Sequence, residues 1–399
     1  MTRQLLVELT RRTVAHACAG TAPLADTVTT VPARHYVDPQ RWELERERIF
    51  RRVPLVAAAT AELPRPGDHR AVELAGVPVL VTRAEDGGIR ALLNRCSHRG
   101  APLTEPGCGH ATRLTCPYHG WSYRNDGTLV SVRNGRDFGP VDTDQYGLVE
   151  LPCAERAGLV FVGLDPSAPL RIDEFLCGYD AALSHLGLAD HLLVGRQELA
   201  GPNWKVAYDG YLDFYHLPVL HKATFGDSLC DRAVYDAWGP HQRVSAPDAS
   251  MAKLAGVPEE QWRTSALTIG VWTVFPHVSI ARFDTGGPLI MVSQLLPGPT
   301  VDRSTTVQLF LAPHPPDEQA QQRIDEMITF LRRVVGDEDY AMGLAVQRGL
   351  VAGGRDHVLF GRNELGGQRF HRFVDELVAA PDDRAYAALL ARSRVEHQP

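Results

Sequence analysis

The chain's 399 residues carry a formal charge of −7 and are 44% hydrophobic and 22% charged. That is enough chain for two domains with sizeable cores, and no Lys/Arg block argues for nucleic acid or an anionic membrane as a partner. The seven cysteines are too sparse for a disulfide scaffold and suit a reducing cytoplasm. The N-terminal segment lacks the apolar core of a secretory signal, and no stretch reaches the length of a membrane span.

Residues 1–20 mix polar and apolar side chains at helix spacing, and 39–50 reads as a second helix rich in Glu and Arg. From about residue 52 apolar runs alternate with turn residues, and Asp86-Gly-Gly and Asn125-Asp-Gly are hairpin signals. A small all-β domain is therefore predicted over 52–163, with 1–51 as a helical segment packing on the remainder. Pro166 and Pro169 mark its end. Within 164–399, helical patterns run to about residue 225 and a polar loop is expected around 238–249. Strand-like runs follow at 266–275, 289–296 and 305–312, then helices at 317–335, at 338–349 and in the last thirty residues. The fold class is α+β, an all-β domain followed by an antiparallel sheet flanked by helices.

The predicted β domain carries Cys96-Ser-His98 and, after a spacer, Cys116-Pro-Tyr-His119. Two thiolates and two imidazoles from two short loops are the ligand set of a Rieske [2Fe-2S] cluster, in which two Cys hold one iron and two His the other. Gly100 and Gly120 follow the pairs and allow the tight turns that bring amides toward bridging sulfides. Zinc also accepts two Cys and two His, but finger motifs pair Cys with Cys and His with His. Cys108 and His110, in the spacer, read as loop residues without a ligand role.

The second motif is Asp213-Phe-Tyr-His216-Leu-Pro-Val-Leu-His221, ten residues after Asn203-Trp-Lys begins. Two His and a carboxylate on one face would suit non-haem iron with positions open for O2 and substrate. Asp213 and His216 are expected on one side of a helix, with Pro218 breaking it so that His221 can swing round. Alone, the segment reads equally as buried structural histidines or a hydrolytic zinc site. A distant carboxylate is needed, and Asp337, Glu338 and Asp339 all qualify.

These motifs resemble the alpha subunit of the Rieske non-haem iron oxygenases, the ring-hydroxylating family. The resemblance rests on CSHRG at 96–100, CPYHGW at 116–121, NWK at 203–205, DFYHLPVLH at 213–221, GDED at 336–339, VQRGL at 346–350, FGRNE at 360–364 and FHR at 370–372. It implies that Cys96, His98, Cys116 and His119 hold the cluster. It implies that His216, His221 and Asp339 hold Fe(II), and that Asp213 bridges a cluster histidine of one subunit to His216 of the next. It further implies electrons from a separate NAD(P)H-dependent reductase, directly or through a ferredoxin, and a head-to-tail homotrimer with or without a beta subunit. O2 and a small organic substrate would meet at the iron. No G-x-G-x-x-G follows a strand, so no nicotinamide site is expected on this chain.

Two departures stand out. Gly210 occupies the place of an Asn found in many relatives, and Leu344 that of an acid. Aromatic hydroxylation, demethylation and quaternary-amine monooxygenation all remain open, and no local run of aromatics marks a cation cage. A substrate pocket is expected from Phe214, Leu217, Leu220, Val274, Phe275, Ile280, Phe283 and Ile290. A reading from another class, an electron-transfer protein, would keep the cluster loops and hold no iron at His216.

Overall fold

The computed structural model describes residues 3–226, 229–284 and 286–396. They form two compact units, one of Phe50–Ile172 with Gly187–Leu192, the other of Met1–Ile49, Asp173–Leu186 and Leu193–Pro399. Among the described residues no helix is long and apolar enough to cross a membrane.

The first unit is built from short antiparallel strands. Its main sheet runs in the order Glu150–Leu151, Ile89–Leu93, Val77–Arg83, Asp68–Leu74, Gly107–His110. Val79, Leu80 and Val81 are buried in succession, so both faces of that strand are covered. Leu80, Leu92, Leu114, Trp121, Tyr123 and Leu129 pack into one core, and Cys96 and Cys116 are part of it. Cys108 and His110 lie on an edge strand rather than in a loop, where His110 Nδ1 donates to Asp68 Oδ1 at 2.8 Å.

The second unit centres on a seven-stranded sheet. Its order is Leu192–Gly201, Ser304–Ala312, Pro288–Pro297, Val278–Asp284, Val271–Val274, His241–Ser245, Val234–Trp238. The expected polar loop near 238–249 is instead largely a hairpin. Its charged residues satisfy each other, with Arg243 Nε 2.8 Å from Asp236 Oδ2 on the neighbouring strand. A polar sequence can thus be a buried strand when its partners lie opposite it. Likewise, Thr264–Leu267 is helical and the predicted strand at 266–275 shortens to Val271–Val274.

The Trp204–Leu212 helix packs on this sheet and delivers the chain to the second motif. Asn203 caps it, its Oδ1 accepting from Lys205 N at 2.8 Å while its Nδ2 donates to Val301 O at 2.7 Å. Trp204 Nε1 and Lys205 Nζ both donate to Glu45 Oε2, at 2.9 and 2.5 Å. The NWK run therefore anchors the helix that positions the site.

Candidate metal centres

The two cluster loops share one backbone design. Cys96 N donates to Ala101 O and Gly100 N to Cys96 O; Cys116 N donates to Trp121 O and Gly120 N to Cys116 O, all within 2.8–3.0 Å. The turns close because Gly100 and Gly120 adopt φ of +79° and +70°, a region that side-chain-bearing residues rarely enter. Each loop thus presents its Cys and His together. Tyr123 braces the first, its hydroxyl 3.2 Å from Cys96 Sγ and accepting from Ser97 N at 3.1 Å.

The donor set fits the cluster. Cys96 and Cys116 are buried free thiols, and burial pushes the Cys96 thiol pKa up, as does the neighbouring Cys116. The His98 and His119 rings lie 4.7 Å apart by centroids, and their Nδ1 atoms are buried with no protein partner. Two lone nitrogens hidden from water would be costly unless a metal takes them. Trp121 stacks on His98 at 5.0 Å and 4°.

The iron motif is arranged differently from the sequence expectation. The helix stops at Leu212, Asp213 is extended (φ −121°, ψ 128°), and a short Leu217–Leu220 helix follows. Asp213 and His216 thus lie beyond the long helix, joined by a turn in which Asp213 Oδ1 accepts from Tyr215 N. Pro218 breaks no helix. It sits in the first turn of the short one, where a missing N–H is harmless, and His221 caps its end.

His216, His221 and Asp339 come together, each offering a ligand atom within 4.8 Å of the others. Asp339 Oδ1 lies 3.1 Å from His221 Nε2 and 3.7 Å from His216 Nε2. Behind each imidazole stands a carboxylate: Asp213 Oδ2 accepts from His216 Nδ1 at 3.0 Å, Glu338 Oε2 from His221 Nδ1 at 2.6 Å. Both Nε2 lone pairs are therefore left to face a metal. Burial pushes the His221 pKa down, but Asp339 and Glu338 outweigh it and the net direction is up.

Glu338 and Asp339 are adjacent yet both reach His221, because Val334–Tyr340 is a π-helical turn joining the Glu318–Arg333 and Ala341–Ala352 helices. Thr224 Oγ1 donates to the other oxygen of Glu338. The sequence leaves Glu338 as one of three rival ligands; the structure makes it the orienting acid. Glu338→Gln is expected to weaken iron retention by roughly 10–100-fold without emptying the cluster, measured as iron lost to a chelator over time.

A family model described as Ring hydroxylating alpha subunit (catalytic domain) matches residues 189–380, and one described as Rieske [2Fe-2S] domain matches 53–143. The carnitine monooxygenase oxygenase subunit of Escherichia coli (strain K12) is 30% identical over 333 residues, 82% of this chain and 85% of that protein. The chain belongs to the Rieske-type ring-hydroxylating oxygenases, as an alpha, or catalytic, subunit. Its cofactors are a Rieske [2Fe-2S] cluster and a mononuclear iron.

Other relatives of this oxygenase differ in substrate. The anthranilate 1,2-dioxygenase large subunit of Acinetobacter baylyi (strain ATCC 33305 / BD413 / ADP1) is 33% identical over 206 residues, 49% of this chain and 43% of that protein. Among solved structures, a quaternary ammonium Rieske monooxygenase in complex with L-carnitine superposes with a TM-score of 0.74 at 24% identity, covering 90% of this chain and 97% of that one. At that identity the likeness is one of fold.

A cavity of about 410 Å³ opens beside the oxygenase's His216, Asp213 and Asp339. Of the eight pocket residues expected from sequence, only Leu220 lines it; Val274, Phe275, Ile280 and Ile290 are buried core. Its walls come instead from the Trp204–Leu212 and Ala341–Ala352 helices and the His357–Phe360 strand. Gly210 lines it too, and a Cβ built there meets nothing within 4 Å, so no neighbour occupies the space of the absent Asn. Leu344 is 39% exposed.

Proposed function

We propose that this oxygenase monooxygenates a quaternary ammonium compound, with Cys96, His98, Cys116 and His119 holding the cluster and His216, His221 and Asp339 holding Fe(II). The observation that carries the substrate class is the cavity lining. Asp209, Asp213, Asp339 and Glu364 contribute carboxylates, Tyr36, Tyr211 and Phe360 contribute rings, and no described lining residue is Lys or Arg. Acids in an apolar wall favour a cation, and aromatic faces add to that attraction. The names of the relatives agree: carnitine monooxygenase, and the glycine betaine monooxygenase oxygenase subunit of Chromohalobacter salexigens, 32% identical over 195 residues.

When bound, the cluster supplies single electrons and the iron activates O2 for insertion into a C–H bond. The chain's part is placement. Asp213 and Glu338 keep a proton on the Nδ1 atoms of His216 and His221.

Electrons come from a separate NAD(P)H-dependent reductase, directly or through a ferredoxin, and copies assemble head to tail as a trimer. Each unit displays exposed apolar side chains around its own centre, which supports this. Tyr118 and Phe138 lie beside the cluster histidines, at 61% and 49% exposure, while Tyr215 and Val219 lie beside His216, at 59% and 79%. The side chain of Asp213 is 25% exposed, leaving acceptor capacity for a histidine of another copy.

The test is oxygen uptake and product formation with a generic reductase across paired substrates, trimethylammonium compounds against their neutral tert-butyl isosteres and simple aromatics. The charged member is expected to win by about 2 kcal/mol, or ~30-fold in kcat/KM, the scale of a desolvated cation–π site. Equal rates for the isosteres, or faster turnover of neutral aromatics, would overturn the assignment.

A further inference from the structure

The reaction consumes protons as well as electrons. One oxygen atom enters the substrate and the other leaves as water, so R–H + O2 + 2e⁻ + 2H⁺ becomes R–OH + H2O. The electrons come from the reductase; the protons must reach the iron cavity through groups able to carry them. Asp213, Glu338 and Asp339 are each occupied with a site histidine. Glu364, also in the cavity, accepts from the backbone N–H of Gly361 at 2.6 Å.

Asp209 is different. It lines the iron cavity, as does Tyr36, and its two oxygens are held by Tyr36 and His371. Tyr36 Oη donates to Asp209 Oδ2 at 2.9 Å, and His371 Nε2 donates to Asp209 Oδ1 at 2.9 Å; the Tyr36 hydroxyl and His371 Nε2 are themselves 2.9 Å apart. Tyr36 and His371 are each only 3% exposed. His371 also lines a second cavity, of about 860 Å³, bordered by the Leu365–Ala379 helix. Solvent reaches that cavity past the exposed Thr30, Arg372 and Glu376. One imidazole therefore borders the outer cavity while its Nε2 holds the Asp209 carboxylate that lines the inner one.

We infer that His371, Asp209 and Tyr36 form a proton relay from the outer cavity to the iron cavity. Asp209 takes the Nε2 proton of His371 and passes it to the oxygen that leaves as water, while His371 takes up a replacement at Nδ1 from solvent, and no residue is oxidised or reduced. Tyr36 holds the carboxylate in line. The inference rests on the family's oxygenase chemistry and is independent of the substrate chosen, since it can be read with whichever compound turns over fastest.

The test uses the full-length holoenzyme with its reductase and that compound. Asp209→Asn and His371→Ala are expected to lower kcat by about 10²-fold, the lower end for a positioned acid–base group, with KM held in His371→Ala and raised in Asp209→Asn, which also removes a carboxylate from the substrate cavity. The solvent deuterium isotope effect on kcat should rise. Imidazole added to His371→Ala should restore turnover and should do nothing for Asp209→Asn. Tyr36→Phe, the mildest change, should show the same isotope signature with a smaller loss. Metal-free protein gives an independent readout: ¹⁵N NMR should place the His371 proton on Nε2, and Asp209→Asn should remove that preference. A full kcat in His371→Ala, or a loss with an unchanged isotope effect and no imidazole rescue, would overturn the relay and leave a packing role.

Discussion

Asp213→Asn is expected to leave cluster and iron loaded and to cut coupled turnover by about 100-fold, the upper end for losing an outer-sphere carboxylate. Asp213 does two things that an amide cannot do together. Its Oδ2 accepts from His216 Nδ1 at 3.0 Å, and its partly exposed edge can accept from a second imidazole. Asparagine keeps one acceptor oxygen but turns an N–H₂ toward the other histidine, where two donors oppose each other. Under the proposed inter-subunit route, cluster reduction by the reductase should remain fast while the transfer that follows slows, which rapid-mixing absorbance of the cluster would separate. Unchanged reoxidation of the cluster in the presence of substrate and O2 would remove Asp213 from the route.

The second large effect concerns stability and lies far from the chemistry. Lys205 and Glu45 form an ion pair with both side chains fully buried. Burial pushes the Lys205 pKa down even with Glu45 opposing it. Arg41 completes the site, its Nε 2.8 Å from Glu45 Oε1 and its Nη2 2.6 Å from Asp375 Oδ1. Glu45→Ala strands the lysine and removes the acceptor of Trp204 Nε1, at an expected cost of about 3–5 kcal/mol. For a unit of this size that is a fall of roughly 10 °C in Tm, measurable by calorimetry. Replacing Glu45 and Lys205 together by Met should recover most of the loss, because the cost comes from the unpaired charge. A single variant as stable as the parent would show that the pair contributes nothing. Activity should suffer too, since this anchor sets where the Trp204–Leu212 helix starts and hence where Asp213 emerges.

What was legible beforehand follows a physical divide. The cluster loops could be read residue by residue, because each Cys/His pair sits within one tight turn whose shape depends on local backbone and on a glycine with positive φ. Long periodic helices were equally plain, such as Arg3–Ala19 and Glu318–Arg333. Misreadings arose where a segment's state depends on what lies opposite it. Arg243 makes sense in a buried strand only once Asp236 is beside it, and the strand Leu192–Gly201 was read as helical because its pairing partner lies a hundred residues away. The helix expected to carry Asp213 and His216 stops earlier, at Leu212.

The sequence by itself determined which residue types could serve as metal donors, because thiolates, imidazoles and carboxylates declare their chemistry by type and local spacing. From the residues alone Asp337, Glu338 and Asp339 stayed equivalent, and the resemblance chose Asp339; the tertiary structure showed where Glu338 goes. Asp339 faces both Nε2 atoms while Glu338 turns to the back of His221, a choice made by a π-helical turn that spacing does not reveal. It also decided the company the cavity keeps. Tyr36, Asp209 and His371 are distant along the chain and meet only because their elements pack together, and contacts of that range are a property of the packed fold and not of any local pattern.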